Sequence, residues 1–108
     1  MTVRELAEKL ELNVVAGTLD AEITGVYAGD LLSNVMARAG ENNLWVTVQG
    51  HQNVVAVAAL ANLSAVVVVE NFPIEEDAVK RATEKGVNLL RTSMTAYDLI
   101  CKLAALGI

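Results

Sequence analysis

The sequence predicts an α/β domain with a mostly parallel β-sheet of about four to five strands, crossover helices in a three-layer-like arrangement, and an additional N-terminal helix. Two observations support this prediction. From residue 22 onward, short aliphatic segments alternate with helical patterns over short connections, which is typical of right-handed βαβ units. Ala65–Val69 is a run of Val without alternation, as expected of a strand covered on both faces. At 108 residues, the chain is predicted to be one domain, residues 1–108, with a single core.

The N-terminal part of the chain predicts a helix, a short strand and a turn. Thr2 and Glu5, three residues apart, form the capping-box pattern that opens a helix, which is expected to end near Glu11. Asn13–Ala16 follows as a strand. Gly17–Asp20 is then expected to turn, because its residues tolerate unusual backbone angles.

The rest of the chain consists of four units, each with a strand, a polar loop and a helix. The predicted strands are Glu22–Tyr27, Leu44–Gln49, Ala65–Val69 and Val87–Arg91. The predicted helices are Leu31–Ala39, Asn53–Asn62, Ile74–Lys85 and Ala96–Leu106. Pro73 suits a helix start, and Thr95 with Asp98 forms a second pattern similar to a capping box.

The helix Asn53–Asn62 has no polar face. Between its polar ends every residue is Val, Ala or Leu, and a helix that is apolar all round is buried on more than one side. In a domain this small, a second subunit is the simplest cover. We therefore predict a homodimer, with an interface formed by Val54, Val57, Ala58 and Ala61.

The helix Ile74–Lys85, in contrast, has the pattern of a water-facing helix. Glu76 with Lys80, and Asp77 with Arg81, stand four residues apart and predict ion pairs on its outer face. On the final helix, Leu99, Ile100, Leu103 and Leu106 form the predicted inner stripe, and Leu32, Val35, Met36 and Ala39 form that of the helix Leu31–Ala39.

Composition excludes several classes of protein. The net charge of −5 and eight scattered basic residues argue against nucleic-acid binding, which needs a cationic surface. The single cysteine, Cys101, allows no internal disulfide and fits a reducing cytoplasm; its apolar helical neighbours predict an inert, buried thiol. The apolar runs are much shorter than the roughly 20 residues of a membrane span, and no signal segment is visible. We predict a soluble cytoplasmic protein without membrane partners.

The loops that follow the four parallel strands are the predicted ligand site, because they share one edge of the sheet and lead into helix N-termini. Free N–H groups and the helix dipole at these ends favour an anion or a nucleotide phosphate. The alternative is that Asp30, Asn53, Asn71 and Thr95 are ordinary helix caps and turn residues. The candidate ligand-binding residues are Gly29, Asp30, Gly50, His51, Gln52, Asn53, Glu70, Asn71, Thr92, Ser93 and Thr95.

His51, the only histidine, could act as a general base or contact a phosphate, with Asp30 or Glu70 as its orienting carboxylate. No serine or cysteine motif accompanies it, and a lone histidine does not form a metal site. The chain lacks a phosphate loop, a dinucleotide fingerprint, a C-x-x-C pair and a G-x-S-x-G elbow. Kinase, dehydrogenase, zinc-protein and hydrolase functions are therefore unsupported, and we expect no catalytic residue, metal or cofactor.

Three stretches of the sequence resemble the DRTGG domain family. Ile23–Ser33 is similar to the stretch before the first crossover helix of that domain, and Gly50–Leu60 and Ala65–Asn71 fall where the family has the two halves of its motif. This sequence has His51-Gln52 where the family often has Asp-Arg, and about Glu70-Asn71-Phe72 where it has Thr-Gly-Gly.

The resemblance covers nearly the whole chain. It implies a stand-alone DRTGG domain, similar to the N-terminal domain of the HPr serine kinase/phosphorylase but without the separate kinase domain. Members of the family stand beside nucleotide-sensing domains in regulated pyrophosphatases and occur in phosphotransacetylases. The resemblance therefore implies a regulatory role and dimer contacts.

The leading hypothesis is a non-catalytic regulatory or assembly module, homodimeric, with a small anionic ligand at the edge that carries His51. A second hypothesis is an adenine-nucleotide or acyl-phosphate sensor that serves as a subunit of a larger metabolic enzyme system. A third is a small enzyme that uses His51.

Overall fold

Five helices and five strands make up the chain, which a computed structural model describes from Met1 to Ile108. The strands are β1 (Asn13–Ala16), β2 (Gly25–Ala28), β3 (Asn43–Thr47), β4 (Ala65–Val68) and β5 (Leu89–Arg91). The helices are α1 (Val3–Lys9), α2 (Leu32–Arg38), α3 (Gln52–Leu60), α4 (Glu76–Lys85) and α5 (Ala96–Ala105). The predicted α/β class and the number of strands are confirmed.

The five strands form one sheet in the order β1-β5-β4-β3-β2. β2, β3, β4 and β5 are parallel to one another. β1 is antiparallel and pairs with β5. Since consecutive parallel strands are also neighbours in the sheet, each of α2, α3 and α4 connects adjacent strands. The carboxyl ends of all four parallel strands therefore meet at one edge, as the sequence predicted.

Helices cover both faces of the sheet, and alternate residues of the central strands point to opposite layers. Leu44 and Val46 of β3 pack in one core with residues of α1 and α5. Trp45, between them, packs in a second core with residues of α2, α3 and α4. The run Ala65–Val69 divides in the same way between the two cores and is fully buried. This explains why it shows no alternation of apolar and polar residues.

β2, α4 and β5 begin two or three residues later than predicted. For β2 and α4, other parts of the chain bond to the residues that were expected to open the element. Glu22 forms an isolated bridge with Thr2, and the N–H of Ile23 donates to the carbonyl of Met1 (2.9 Å), so β2 starts only at Gly25. α4 starts at Glu76, because Glu75 is extended and its N–H donates to the carbonyl of Gly50 (2.9 Å).

Several predictions about exposure were wrong. Cys101 is exposed, because it lies on the opposite side of α5 from the buried Leu99 and Leu103. Met36 is exposed, because α2 lies over the edge strand β2 and buries only Val35. Leu106 is also exposed, since α5 ends before it.

The ion pairs predicted on α4 are also absent, since every salt bridge of the structure lies elsewhere. An exposed pair contributes only about 0–1 kcal/mol, too little to hold two long side chains in one geometry. With ten residues at most, no helix has the length and apolarity that a membrane crossing requires.

Candidate functional site at the carboxyl edge of the sheet

The structure brings all the predicted ligand-binding residues to the carboxyl edge of the sheet. Gly29 and Asp30 follow β2, Gly50 and His51 follow β3, and the other loops follow β4 and β5. Gln52 and Asn53 lie in the first turn of α3 rather than in a loop. We call the loops 29–31, 48–51, 69–75 and 92–95, together with the adjoining first turn of α3 and Arg91 at the end of β5, the carboxyl edge.

Asp30 holds the first two of these loops together. Its Oδ1 accepts hydrogen bonds from the Thr47 hydroxyl (2.7 Å) and the Val48 N–H (2.9 Å). Next to it, the indole N–H of Trp45 donates to the carbonyl of Gly29 (2.8 Å). Asp30 therefore joins the β2 loop to the end of β3 and does not cap α2, whose N-cap is Leu31.

His51 is the N-cap of α3, so the interpretation of Asn53 as a cap was wrong. The ring Nδ1 of His51 accepts a hydrogen bond from the Asn53 N–H (3.0 Å). The neutral ring must then carry its proton on Nε2, which lies 3.8 Å from the Glu75 carboxylate. The carboxylate beside His51 is thus that of Glu75, not of Asp30 or Glu70. With one nitrogen capping a helix and the other facing a carboxylate, the ring has no free lone pair for a general base.

The loops after β4 and β5 meet at the position where open α/β sheets usually form a crevice. α4 follows β4 onto one face and α5 follows β5 onto the other, so the two connections diverge. Here hydrogen bonds close the crevice: Glu70 N–H to the Met94 carbonyl and Asn71 N–H to the Thr92 carbonyl, both 2.9 Å. The two cavities of the structure lie elsewhere, between α3 and α4.

Arg91, at the end of β5, completes this closure. Its Nε donates to the carbonyl of Phe72 (3.0 Å) and its Nη2 to that of Asn71. Arg91 is the only Lys or Arg at the carboxyl edge, and it was not among the residues predicted from the sequence. The signal was present: Arg91 is the one charged residue in the predicted strand Val87–Arg91, at the end that faces the loops.

Glu70 and Asn71 form a tight turn in an unusual conformation. Both have positive φ (57° and 52°), and the Phe72 N–H donates back to the Val69 carbonyl (3.2 Å), as in a type I′ turn. Asn tolerates the left-handed region, whereas Glu is strained there. The resemblance places the Thr-Gly-Gly half of the family motif here, and glycine adopts such angles freely.

Gly50 allows the loops after β3 and β4 to touch. A Cβ at this position would lie 2.1 Å from the Pro73 carbonyl oxygen, far inside van der Waals contact. Thr95 caps α5 as predicted, since its hydroxyl accepts from the Asp98 N–H (3.1 Å). The carboxyl edge is thus cross-linked by its own hydrogen bonds. No cluster of His, Cys, Asp and Glu there or elsewhere is suited to hold a metal ion.

Two of the four residues predicted for an interface on α3 are buried. Val54 and Ala58 are only 1% exposed and pack in the core of this domain, so they cannot contact a second subunit. Val57 and Ala61 are half-buried. The most exposed residue of the helix is Leu60, at 73%, on the side opposite to Val54 and Ala58.

The fold and the carboxyl edge define the chain as a three-layer α/β domain without a phosphate loop or a metal cluster. The chain belongs to the DRTGG domain family, whose model matches residues 5–106. The resemblance found in the sequence is thereby confirmed. Comparison with curated proteins gave no match.

Among solved structures, the chain is similar to the crystal structure of the CBS and DRTGG domains of the regulatory region of Clostridium perfringens pyrophosphatase, complexed with the activator diadenosine tetraphosphate. The TM-score is 0.72 and the sequence identity 8%, over 90% of this chain and 43% of that chain. This chain therefore spans less than half the length of that chain. At such low identity, the likeness shows a common fold.

Proposed function

We propose that this DRTGG domain is a non-catalytic regulatory and assembly module that acts as a homodimer and binds a small anionic ligand at the carboxyl edge. The family match carries the proposal, because it covers residues 5–106 and its relative of known structure belongs to a regulatory region. The use of the His51 Nδ1 lone pair as the cap of α3 supports a non-catalytic role and disfavours the small enzyme.

The anionic ligand is supported by the position of Arg91. Two of its nitrogens bond to loop carbonyls, which leaves Nη1 of a rigidly held guanidinium for a phosphate or carboxylate. The side chain of Ser93, a candidate named from the sequence that follows Arg91 by two residues, makes no hydrogen bond within the domain and adds a donor at the same edge. Gln52, also a candidate, lines the cavity against α4 instead. Among the other candidate residues, Asp30, Gly50, Glu70 and Asn71 shape the loops.

A second candidate function is an adenine-nucleotide or acyl-phosphate sensor, a subunit of a larger enzyme system. Phe72, whose backbone carbonyl accepts from Arg91, has a side chain that is 45% exposed, and an aromatic side chain in the neighbourhood of a cation suits a base with its phosphate. The solved relative, whose regulatory region binds a dinucleotide activator, supports the same class of ligand.

Thermal shift with phosphate, acetyl phosphate, ATP and diadenosine tetraphosphate tests both candidates. A ligand present at a hundred times its Kd stabilises the folded state by about 2.7 kcal/mol, a readily measured shift. A shift of the unfolding midpoint with inorganic phosphate would support the anion site. A shift with the nucleotides but not with phosphate, lost in Phe72→Ala, would support the sensor. Arg91→Gln should abolish the response in either case, and Arg38→Gln, at an exposed position in the last turn of α2, is the matched control. If none of the four ligands shifts the midpoint, ligand binding at this edge is wrong.

A further inference from the structure

Between α3 and α4 the surface has two adjoining cavities, which we call together the α3–α4 groove. One, of about 310 Å³, is lined by Ala56, Ala59 and Leu60 of α3 with Arg81 and Lys85 of α4. The other, of about 300 Å³, is wholly polar and shares Arg81 with the first. Its other lining residues are Gln52, Asp77, Lys80 and Glu84.

The charged side chains of α4 have no partners within the domain. The helix carries three acids and three bases, yet all ion pairs within 4.0 Å involve other residues or Glu75, which precedes the helix. The acids Glu76 and Asp77 occupy its first turn and the base Lys85 its last turn. A second α4 running antiparallel would therefore set acids against bases at both ends.

Leu60 and the alanines beside it have complementary shapes. Leu60 stands out at the rim of the apolar cavity, whereas Ala56 and Ala59 leave space between the two helices. Such a surface can pair with a copy of itself across a two-fold axis. Each copy then supplies one protruding leucine and one cavity lined by alanines. Val57 and Ala61 lie on the other flank of α3, about 100–160° around the helix from the Ala56 and Ala59 side.

We propose that the α3–α4 groove is occupied by a second copy of this chain, with the two α4 helices antiparallel about a two-fold axis near Arg81. Each Leu60 enters the apolar cavity of the other copy, and Asp77 of one copy pairs with Lys85 of the second copy. The proposal rests on the homodimer of the proposed function and assigns it a surface and contacts.

Analytical ultracentrifugation across the micromolar range tests this surface. Leu60→Glu should raise the dimer Kd by at least about 30-fold, since truncation or charging at the centre of an interface commonly costs about 2 kcal/mol. Leu31→Glu is the matched control, because Leu31 is also exposed (62%) but lies at the carboxyl edge. It should leave the Kd unchanged. Circular dichroism of both variants verifies that they are folded.

A charge exchange tests the pairing itself. Asp77→Lys and Lys85→Asp should each weaken the dimer, and the two together should restore it, because the swapped charges attract again across the axis. A dimer indifferent to Leu60→Glu would overturn this surface while leaving the homodimer intact. If the unmodified chain is a monomer throughout the range, both the homodimer and the surface are wrong.

Discussion

The carboxyl edge and the α3–α4 groove differ in how far each satisfies its own polar groups. At the edge, Asp30, Arg91 and the backbone of the turn at Glu70 bond to neighbouring loops, and His51 caps its own helix α3. In the groove, five charged side chains of α4 have no ion-pair partner, and Leu60 faces outward. Fold geometry alone favours the edge as a binding site. The inventory of bonds shows that the edge is largely a structural junction, whereas the groove is the surface with unused binding capacity.

The largest stability effect is expected at the edge. Asp30→Ala should lower the free energy of unfolding by about 2 kcal/mol, because it removes a charged acceptor of two bonds and leaves the O–H of Thr47, a residue only 2% exposed, without an acceptor. Urea denaturation measures the loss. Asp30→Asn, which keeps an acceptor oxygen, should lose less. Equal stability of Asp30→Ala and the unmodified chain would show that the edge is not a structural junction.

The strained turn of the edge predicts a gain in stability. Glu70→Gly should raise the free energy of unfolding by about 1 kcal/mol, because glycine accepts the left-handed backbone that costs other residues about 1–2 kcal/mol, offset in part by its freedom in the unfolded chain. Asn71→Gly is the control and should gain less, since Asn tolerates this conformation. A loss of stability in Glu70→Gly would mean that the Glu70 side chain holds the turn.

In the groove, unlike at the edge, removing a charged side chain should hardly change the stability of the monomer. Lys80→Gln should change the free energy of unfolding of the monomer by less than about 0.5 kcal/mol, because this side chain has no ion-pair partner to lose. The same denaturation series, run at a concentration below dimer formation, measures it. A loss near 2 kcal/mol would remove the contrast between the two regions.

The smallest effect is expected outside both regions, at the capping box of α1. Hydrogen bonds from the backbone and side chain of Thr2 lower the pKa of Glu5 from its usual 4.5. Because the folded state favours the carboxylate, this stabilisation is present above the usual pKa and is lost as pH falls through the lowered one. Relative to Glu5→Gln, the unmodified chain should lose stability on acidification below about pH 4.5. If the free energies of unfolding of the unmodified chain and of Glu5→Gln change in parallel down to low pH, this prediction is wrong.

Much of the fold follows from short-range features of the sequence. Alternating strand and helix patterns predicted the parallel sheet, the unbroken run Ala65–Val69 predicted its buried centre, and Thr2 and Thr95 predicted two helix starts. These features depend on local periodicity and on caps within a few residues, which are properties of the chain itself. The DRTGG resemblance could be found for the same reason, because its motif halves are continuous segments.

The partners of individual side chains depended on tertiary structure. From the sequence, His51 and the residues that follow Arg91 were predicted as site residues. The sequence could not show that His51 faces Glu75, or that the Arg91 side chain bonds to the loop after β4. Likewise, α3 is apolar along its whole length, yet only packing against β3 and β4 decided that Val54 is core and Leu60 is surface. Composition determines how much apolar surface a helix has. The order of strands and the seating of the helices on the sheet determine which part of that surface remains for a partner.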